Sequence, residues 1–234
     1  MMTGDSDSIS IERCTTHETE AFLDLYVDLF YEREPLTGCI GFTKEQMAFV
    51  ARNLYAGSNN LLSQGLCWIA RDRTEENRGV GIIACDDPVA AGELRIPEGI
   101  SEMDAEKIMV AMGLLEEIGR PMKERLAQGE GTCLHVAAVG VAPEYEGAGI
   151  ATRLLQTALS EAGSRGFRYV FAECTSPASR RLHEKAGFTC LHRVSVSSFT
   201  QNGRTPMPDC DLDIDLMVKS LGEGVITGAE TVSR

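Results

Sequence analysis

The sequence lacks the features that mark several large classes of protein. None of its eight cysteines forms a Cys-x-x-Cys pair, and zinc and redox motifs normally depend on such close spacing. We therefore expect the cysteines to be reduced and to act as small, buried hydrophobic residues. No run approaches the ~18 apolar residues of a membrane helix, and the acidic start MMTGDSDSISIERC does not have the pattern of a signal peptide. These absences predict a cytoplasmic protein that has no membrane partner.

Positive charge is also scarce. The chain has 22 Lys and Arg against 35 Asp and Glu, which gives a formal net charge of −13. Nucleic-acid binding depends on clustered Lys and Arg that contact phosphates, so we expect no nucleic-acid partner. An acidic chain suits a small cationic substrate, although many acidic proteins have no such substrate. The hydrophobic fraction of 43% is ordinary for a globular protein with a buried core.

The chain is predicted to form one domain. Residues 9–221 alternate between strand-like and helix-like patterns, with neither a repeat nor a linker. A polar leader precedes them at 1–8, and the segment 222–234 has no apolar stripe to bury, so we expect both ends to be flexible. The oligomeric state is expected to be monomer or homodimer.

Helices and strands can be assigned from caps and periodicity. The capping boxes Thr15–Glu18 and Thr43–Gln46 predict the starts of two helices. Further helices are expected at 108–126 (kinked by Pro121), at 148–162, and in a short segment opened by Ser176. Strands are expected at 8–15, 66–72, 79–86, 132–143, 168–174, 188–196 and 212–221. The Pro- and Gly-bearing segment 87–107 is expected to be irregular.

A glycine turn follows the predicted central strand 132–143 and reads VGVAPEYEGAGIATRLL. It has neither the third glycine of a dinucleotide fingerprint nor the Lys-Ser or Lys-Thr of a P-loop. Its backbone N–H groups, from about Gly147 to Thr152, open a helix and have no intrahelical partner. Such donors hold a pyrophosphate well, and glycine allows the ligand to approach the backbone closely.

This turn resembles motif A of the GCN5-related N-acetyltransferase (GNAT) superfamily, [QR]-x-x-G-x-[GA], which binds the pyrophosphate of acetyl-CoA. The matching residues are Glu146, Gly147, Ala148, Gly149, Ile150 and Ala151. Glu146 departs from the preferred Gln or Arg, and its carboxylate would be unfavourable near a pyrophosphate unless it turned away. The segment ECTSPASRRLHEKAGF (173–188) is similar to motif B of the same superfamily.

The resemblance implies an α/β GNAT fold with a mixed central sheet of about seven strands flanked by helices. It also implies an extra helix before the central strand, acetyl-CoA as cosubstrate and no metal. The central strand and its neighbour should part after Val141 and Cys174, and acetyl-CoA should lie in that cleft. The residues implied in cofactor binding are Val139, Gly140, Val141, Glu146, Gly147, Ala148, Gly149, Ile150, Ala151, Thr152, Ser179 and Arg180.

Two stretches, LFYEREPLTG and LMVKSL, resemble the insect-type arylalkylamine N-acetyltransferases. In that branch the glutamate of a D-E-P-L motif is the general base, which corresponds to Glu34. Two catalytic hydroxyl residues correspond to Thr175, where the branch has Ser, and to Ser179, while Arg33 replaces the usual Asp. The resemblance implies direct acetyl transfer to a primary arylalkylamine such as dopamine, tyramine or serotonin.

The chemistry supports a base independently, because an amine with a pKa of about 10 arrives protonated and must lose a proton before it attacks a thioester. His135 is the next candidate for that base, since it matches one member of a His pair in vertebrate serotonin acetyltransferases. The CoA thiolate could take its proton from Ser179, from His183 one helical turn away, or from water. Ser179 is favoured by the narrower resemblance.

Other functions remain open at this stage. The same fold could acetylate a polyamine, an amino acid or a protein N-terminus. A second class is a non-catalytic sensor that binds acyl-CoA, and the departure of Glu146 from the motif is the feature that weakly favours it.

Overall fold

The computed structural model describes residues 8–57, 59–91 and 101–222, and all side chains there except those at 102 and 103. Within this part of the chain, seven strands form one mixed sheet in the order β1-β2-β3-β4-β5-β7-β6. The strands are β1 (Ile9–Arg13), β2 (Cys67–Asp72), β3 (Arg78–Asp86), β4 (Cys133–Val141), β5 (Tyr169–Cys174), β6 (Thr189–Ser195) and β7 (Asp213–Ser220). Every neighbouring pair is antiparallel except β4–β5, which is parallel. The α/β class and the mixed seven-stranded sheet expected from the sequence are confirmed.

Helices cover both faces of the sheet. They are α1 (Thr19–Phe30), α2 (Pro35–Ile40), α3 (Lys44–Tyr55), α4 (Pro88–Ala91), α5 (Glu102–Gly119), α6 (Lys123–Leu126), α7 (Ile150–Ser164) and α8 (Pro177–Lys185). On one face, α7 buries Ile150, Leu154 and Leu155 against the strands. On the other face, α1 and α3 pack around Phe22 and Tyr55, while α5 contributes a separate cluster. None of the described helices is long and apolar enough to cross a membrane.

Several local predictions are confirmed and others need correction. Both capping boxes form, and the expected kink appears as a 3-10 turn at Arg120–Met122 between α5 and α6. The segment 87–107 is not irregular throughout, because it contains α4 and the start of α5. Helix α5 begins at Glu102 rather than 108, since the hydroxyl of Ser101 accepts a hydrogen bond from the Asp104 N–H (3.1 Å). Residues 92–100, like 1–7 and 223–234 of the expected leader and tail, lie outside the described residues.

The cysteine prediction is wrong for three residues. Cys39 on α2 and Cys210 in the connection from β6 to β7 form a disulfide across 171 residues of sequence. Cys190 is exposed, and the other five cysteines are buried and free. Sequence spacing could not reveal the disulfide, because the fold alone brings its two halves together.

Strands β4 and β5 part earlier than expected. Their pairing stops at His135–Phe171, so the predicted parting after Val141 and Cys174 is wrong. The register between β3 and β4 shifts at Ala84/Cys85 and leaves Ala137 as an extra, exposed residue on β4. Such a bulge bends its strand and increases the local twist, and it lies just beyond the last residue of β4 that pairs with β5.

Candidate active site

The glycine loop forms an open cradle of backbone donors at the start of α7. Gly147 and Gly149 have left-handed backbones with φ of 79° and 78°, a conformation that is strained for most other residues. Gly149 is the N-cap of α7, and it has no side chain that could occupy the N–H groups of the first turn. A Cβ added at either glycine would meet no atom within 4 Å. The backbone beside both glycines is therefore open to the approach of an anionic group.

Glu146 is turned towards a cation. Its carboxylate forms an ion pair with Arg33, which also donates from Nη1 to the carbonyl of Val141 (2.8 Å). The two charged residues that depart from the family patterns thus compensate each other's charge. Arg33 also connects the end of α1 to the glycine loop and to the last residue of β4.

The end of β4 presents its backbone to the gap beside β5. The Ala142 N–H points to β3, because it donates to the Val80 carbonyl (2.8 Å). Backbone groups of successive residues in a strand point to alternate sides, so those of Val139 and Val141 point away from β3. The opposite side is the gap, where pairing with β5 has ended. Gly140 allows α1 to lie close to this strand, since a Cβ there would stand 2.7 Å from the ring of Phe30.

Glu34 lies between α1 and α2, next to the Arg33 bridge, by which we mean the contacts of Arg33 with Glu146 and with the carbonyl of Val141. It is half-buried, and its carboxylate accepts hydrogen bonds from the N–H groups of Leu36 (3.1 Å) and Thr37 and so caps α2. A carboxylate has about four acceptor positions, so the capping bonds leave it able to accept a proton. Burial first and the nearby charge of Glu34 second raise the pKa of Tyr26 to about 12, which places Glu34 beside an aromatic cluster.

The motif B residues gather where β5 ends. Ser176 caps α8 by accepting from the Ser179 N–H (3.1 Å), and the Ser179 hydroxyl donates to Cys174 Sγ (3.3 Å). Thr175 is half-buried and follows directly on β5. Cys174 packs in the same core cluster as α7, so Ser179 lies on the α7 face of the sheet.

His183 has little capacity to act as an acid. It is 1% exposed, and its Nδ1 lies 2.9 Å from the carbonyl of Ser179. A carbonyl can only accept, so Nδ1 carries the proton and Nε2 does not. Burial lowers the pKa of His183, which keeps the ring neutral with its single proton already engaged. Because His183 is enclosed whereas Ser179 is only partly buried, the geometry favours Ser179 as proton donor.

Arg180 and His135 are both engaged with carboxylates. Arg180 pairs with Glu184 and Asp215, which directs its guanidinium to α8 and β7 rather than to the glycine loop. His135 lies between two carboxylates on the α1/α5 face, Asp86 (3.0 Å) and Glu173 (2.7 Å).

The family model described as "Acetyltransferase (GNAT) family" matches residues 52–188, which is more than half of the 234 residues. This chain belongs to the GNAT family. The residues that the family model matches include β2 to α8, and therefore the glycine loop of motif A and the motif B segment.

Several solved structures share the fold over nearly the whole chain. The chain is similar to the C-terminal condensation domain of Ebony in complex with beta-alanyl-dopamine (18% identity, TM-score 0.75, 91% of this chain and 99% of that one). It is similar to the mosquito protein described as "arylalkylamine N-Acetyltransferase like 5b" (20% identity, TM-score 0.68, 92% of this chain and 100% of that one). It is also similar to a Drosophila melanogaster polyamine N-acetyltransferase (22% identity, TM-score 0.70, 91% and 100%).

In this GNAT chain the structure brings together most of the predicted site. The loop donors, the exposed backbone of β4 and the motif B serine surround the gap between β4 and β5, while Arg180 is directed elsewhere. Sequence reasoning missed the carboxylates of Asp86 and Glu173 and the thiol of Cys174. Their only signal was their position at or near the ends of predicted strands, because their contacts depend on strands far apart in sequence.

Proposed function

We propose that this chain transfers the acetyl group of acetyl-CoA directly to the primary amine of a small arylalkylamine, with Glu34 as general base. The observation that carries the proposal is the Arg33 bridge. It joins the candidate pyrophosphate loop, the parted end of β4 and the helix junction that carries Glu34. The candidate cofactor loop and the segment that carries Glu34 are thus both tied to the same end of β4.

The residues of the gap fit acetyl-CoA. The N–H groups at Ile150, Ala151 and Thr152 would receive the pyrophosphate, assisted by the positive end of the α7 dipole. The backbone groups of Val139 and Val141 would pair with the pantetheine arm as a strand pairs with its neighbour. Because Arg33 already neutralises Glu146, the departure from the motif need not oppose phosphate binding.

Acetyl transfer then follows a single displacement. Glu34 accepts one proton from the ammonium, and the amine nitrogen attacks the thioester carbonyl. The carbon–sulfur bond then breaks to release CoA thiolate, and the nitrogen gives up its second proton as the amide forms, which balances the proton that the thiolate gains. Ser179, on the α7 face of the sheet, is the candidate donor of the proton that the thiolate takes up.

A covalent acetyl-cysteine is disfavoured at this site. Cys174 is the thiol beside Ser179, and it is 2% exposed. Burial raises its pKa to about 12, so the nucleophilic thiolate is scarce at neutral pH. This supports direct attack by the amine.

Arylalkylamine acceptors are favoured by the match to the E-P-L motif and by the aromatic residues beside Glu34. Tyr26 lies 5.0 Å from Phe30 and 5.3 Å from Tyr55, measured between ring centroids. The net charge of −13 also suits a polyamine, which is the alternative acceptor. Localisation in the cytoplasm stays a prediction.

Glu34→Gln tests the base. The change removes the proton acceptor with little change in shape, so we expect kcat to fall by roughly 10²-fold or more while acetyl-CoA binding survives. Glu32→Gln is the matched control, because Glu32 is an exposed carboxylate two residues away. Steady-state kinetics and calorimetric titration with acetyl-CoA would measure the two effects. Full activity in Glu34→Gln would refute this assignment.

A further inference from the structure

His135 joins three strands at the point where the sheet opens. Its Nδ1 lies 3.0 Å from Asp86 Oδ1 and its Nε2 lies 2.7 Å from Glu173 Oε2. Asp86 is its register partner on β3, whereas Glu173 lies on β5 beyond the last paired residue, Phe171. The imidazole also stacks on Phe171, with ring centroids 4.8 Å apart.

The three side chains are well shielded from water. Asp86 is 7% exposed, Glu173 11% and His135 22%, measured on the side chains. A carboxylate accepts hydrogen bonds, so both ring nitrogens must donate if both contacts are to form. The geometry therefore calls for a doubly protonated imidazolium between two carboxylates.

We propose that Asp86, His135 and Glu173 form a side-chain bridge that continues the β4–β5 connection after backbone pairing has stopped, and so fixes the width of the cofactor gap. The bridge makes His135 a positioning residue and not the base that removes the amine proton. This inference rests on the proposed function, because it takes the gap to be the acetyl-CoA site.

The chemistry of the bridge excludes other roles for His135. An imidazolium has no free lone pair, so it can neither accept the amine proton nor bind a metal ion. Burial opposes the charged ring, but the charges of Glu173 and Asp86 outweigh it and hold the pKa of His135 well above its usual 6.5.

The groups around the bridge do not compete for the ring proton. Near Asp86, the pKa values of Tyr55 on α3, Cys67 on β2 and Cys85 on β3 are all raised, first of all by burial. These side chains stay uncharged at neutral pH. Asp86 and Glu173 are therefore the charged groups that face the ring from the neighbouring described strands.

Nitrogen NMR of the wild-type protein tests the charge state without any assay of activity. The chain has four histidines, so their ring signals can be assigned by substitution. We expect both ring nitrogens of His135 to carry protons at pH 7 and the ring to show no titration near pH 6.5. A ring that is neutral at pH 7, or that titrates like a free histidine, would overturn the bridge.

Glu173→Gln tests the positioning role. Glutamine keeps an acceptor for Nε2 but loses the charge, so we expect the gap to loosen and kcat/KM for acetyl-CoA to fall about 10²-fold. The KM for the amine and the rise of rate with pH should change little. Leu62→Ala is the stability control, because it removes a buried side chain in the turn before β2 and should lower Tm without changing acetyl-CoA affinity.

The outcomes separate the two proposals. An unchanged kcat/KM for acetyl-CoA in Glu173→Gln would contradict the bridge. A rise of rate with pH that disappears in His135→Gln would contradict it as well. If the wild-type protein binds no acetyl-CoA, the proposed function fails, whereas the NMR measurement still decides the charge state of His135.

Discussion

Gly149→Asp should abolish acetyl-CoA binding while the protein stays folded. The substituted side chain would place a carboxylate in the space that the loop donors face, where it would repel the pyrophosphate. The open surroundings of Gly149 leave room for the side chain, since no atom lies within 4 Å of an added Cβ. The remaining cost is the left-handed backbone at φ 78°, about 1–2 kcal/mol for a residue other than glycine.

The expected shifts in melting temperature follow from these values. A ligand at 100 times its Kd stabilises the native state by about 2.7 kcal/mol, and one kcal/mol corresponds to about 2–4 °C for a protein of this size. Acetyl-CoA should therefore raise the Tm of the wild-type protein by about 5–10 °C. Gly149→Asp should lower the unliganded Tm by about 2–8 °C and show no rise with acetyl-CoA.

Thermal melts with and without acetyl-CoA provide the assay, and Gly166→Asp is the matched control. Gly166 has a similar φ of 84° and open surroundings, but it lies beyond the other end of α7. Its variant should lose similar stability and keep the full ligand-induced shift. A normal shift in Gly149→Asp would refute the assignment of this loop to the pyrophosphate.

Three further predictions concern the residues around the gap. At saturating acetyl-CoA, Ser179→Ala should lower kcat by about tenfold, which is less than the usual effect of a general acid because CoA is a good leaving group. His183→Phe should lower kcat by a smaller factor, and the reverse order would make His183 the acid. Reversing the charge of either Arg33 or Glu146 should weaken acetyl-CoA binding, and reversing both should restore it. We expect a coupling energy of about 0.2–1 kcal/mol, because both side chains are partly exposed. Calorimetric binding free energies whose changes are simply additive would contradict the pair. The pKa of His135 is raised in the folded protein, so its stabilising effect is complete below pH 6.5 and is lost as pH rises through the folded pKa; urea melts should show this alkaline loss in the wild type and not in His135→Gln.

Local signals predicted the elements of this fold well. The capping box at Thr43–Gln46 involves atoms three residues apart, so a short window of sequence contains the whole interaction. A local signal also stands at Pro35, because α1 ends at Phe30 and does not run through the proline. Proline is also favoured at the first helical position, and Glu34 caps a new helix there.

Features that depend on register could not be predicted in this way. The parting of β4 and β5 at His135 coincides with a bulge at Ala137, and nothing in the apolar run 132–143 marks which residue is unpaired. The bridge around His135 joins residues separated by 49 and 38 positions. The Cys39–Cys210 disulfide spans a still longer separation.

The candidate site was predicted where it consists of contiguous sequence. The glycine loop from Gly147 to Thr152 is one segment, and it forms a turn at the start of α7, while its role in binding the pyrophosphate stays a prediction. Arg33 and Glu146 each differ from the residue that the family motifs prefer, and nothing in the sequence indicated that they form an ion pair. Their proximity depends on how α1 packs over β4, which a short window of sequence does not contain.

Turnover of acetyl-CoA with a panel of amines tests the central claim most directly. CoA release would be followed with a thiol reagent in the presence of dopamine, tyramine, serotonin, a polyamine, an amino acid or a peptide N-terminus. We predict that the arylalkylamines are acetylated with the highest kcat/KM and that this activity depends on Glu34. Tight binding of acetyl-CoA without CoA release for any amine would contradict it and identify an acyl-CoA sensor.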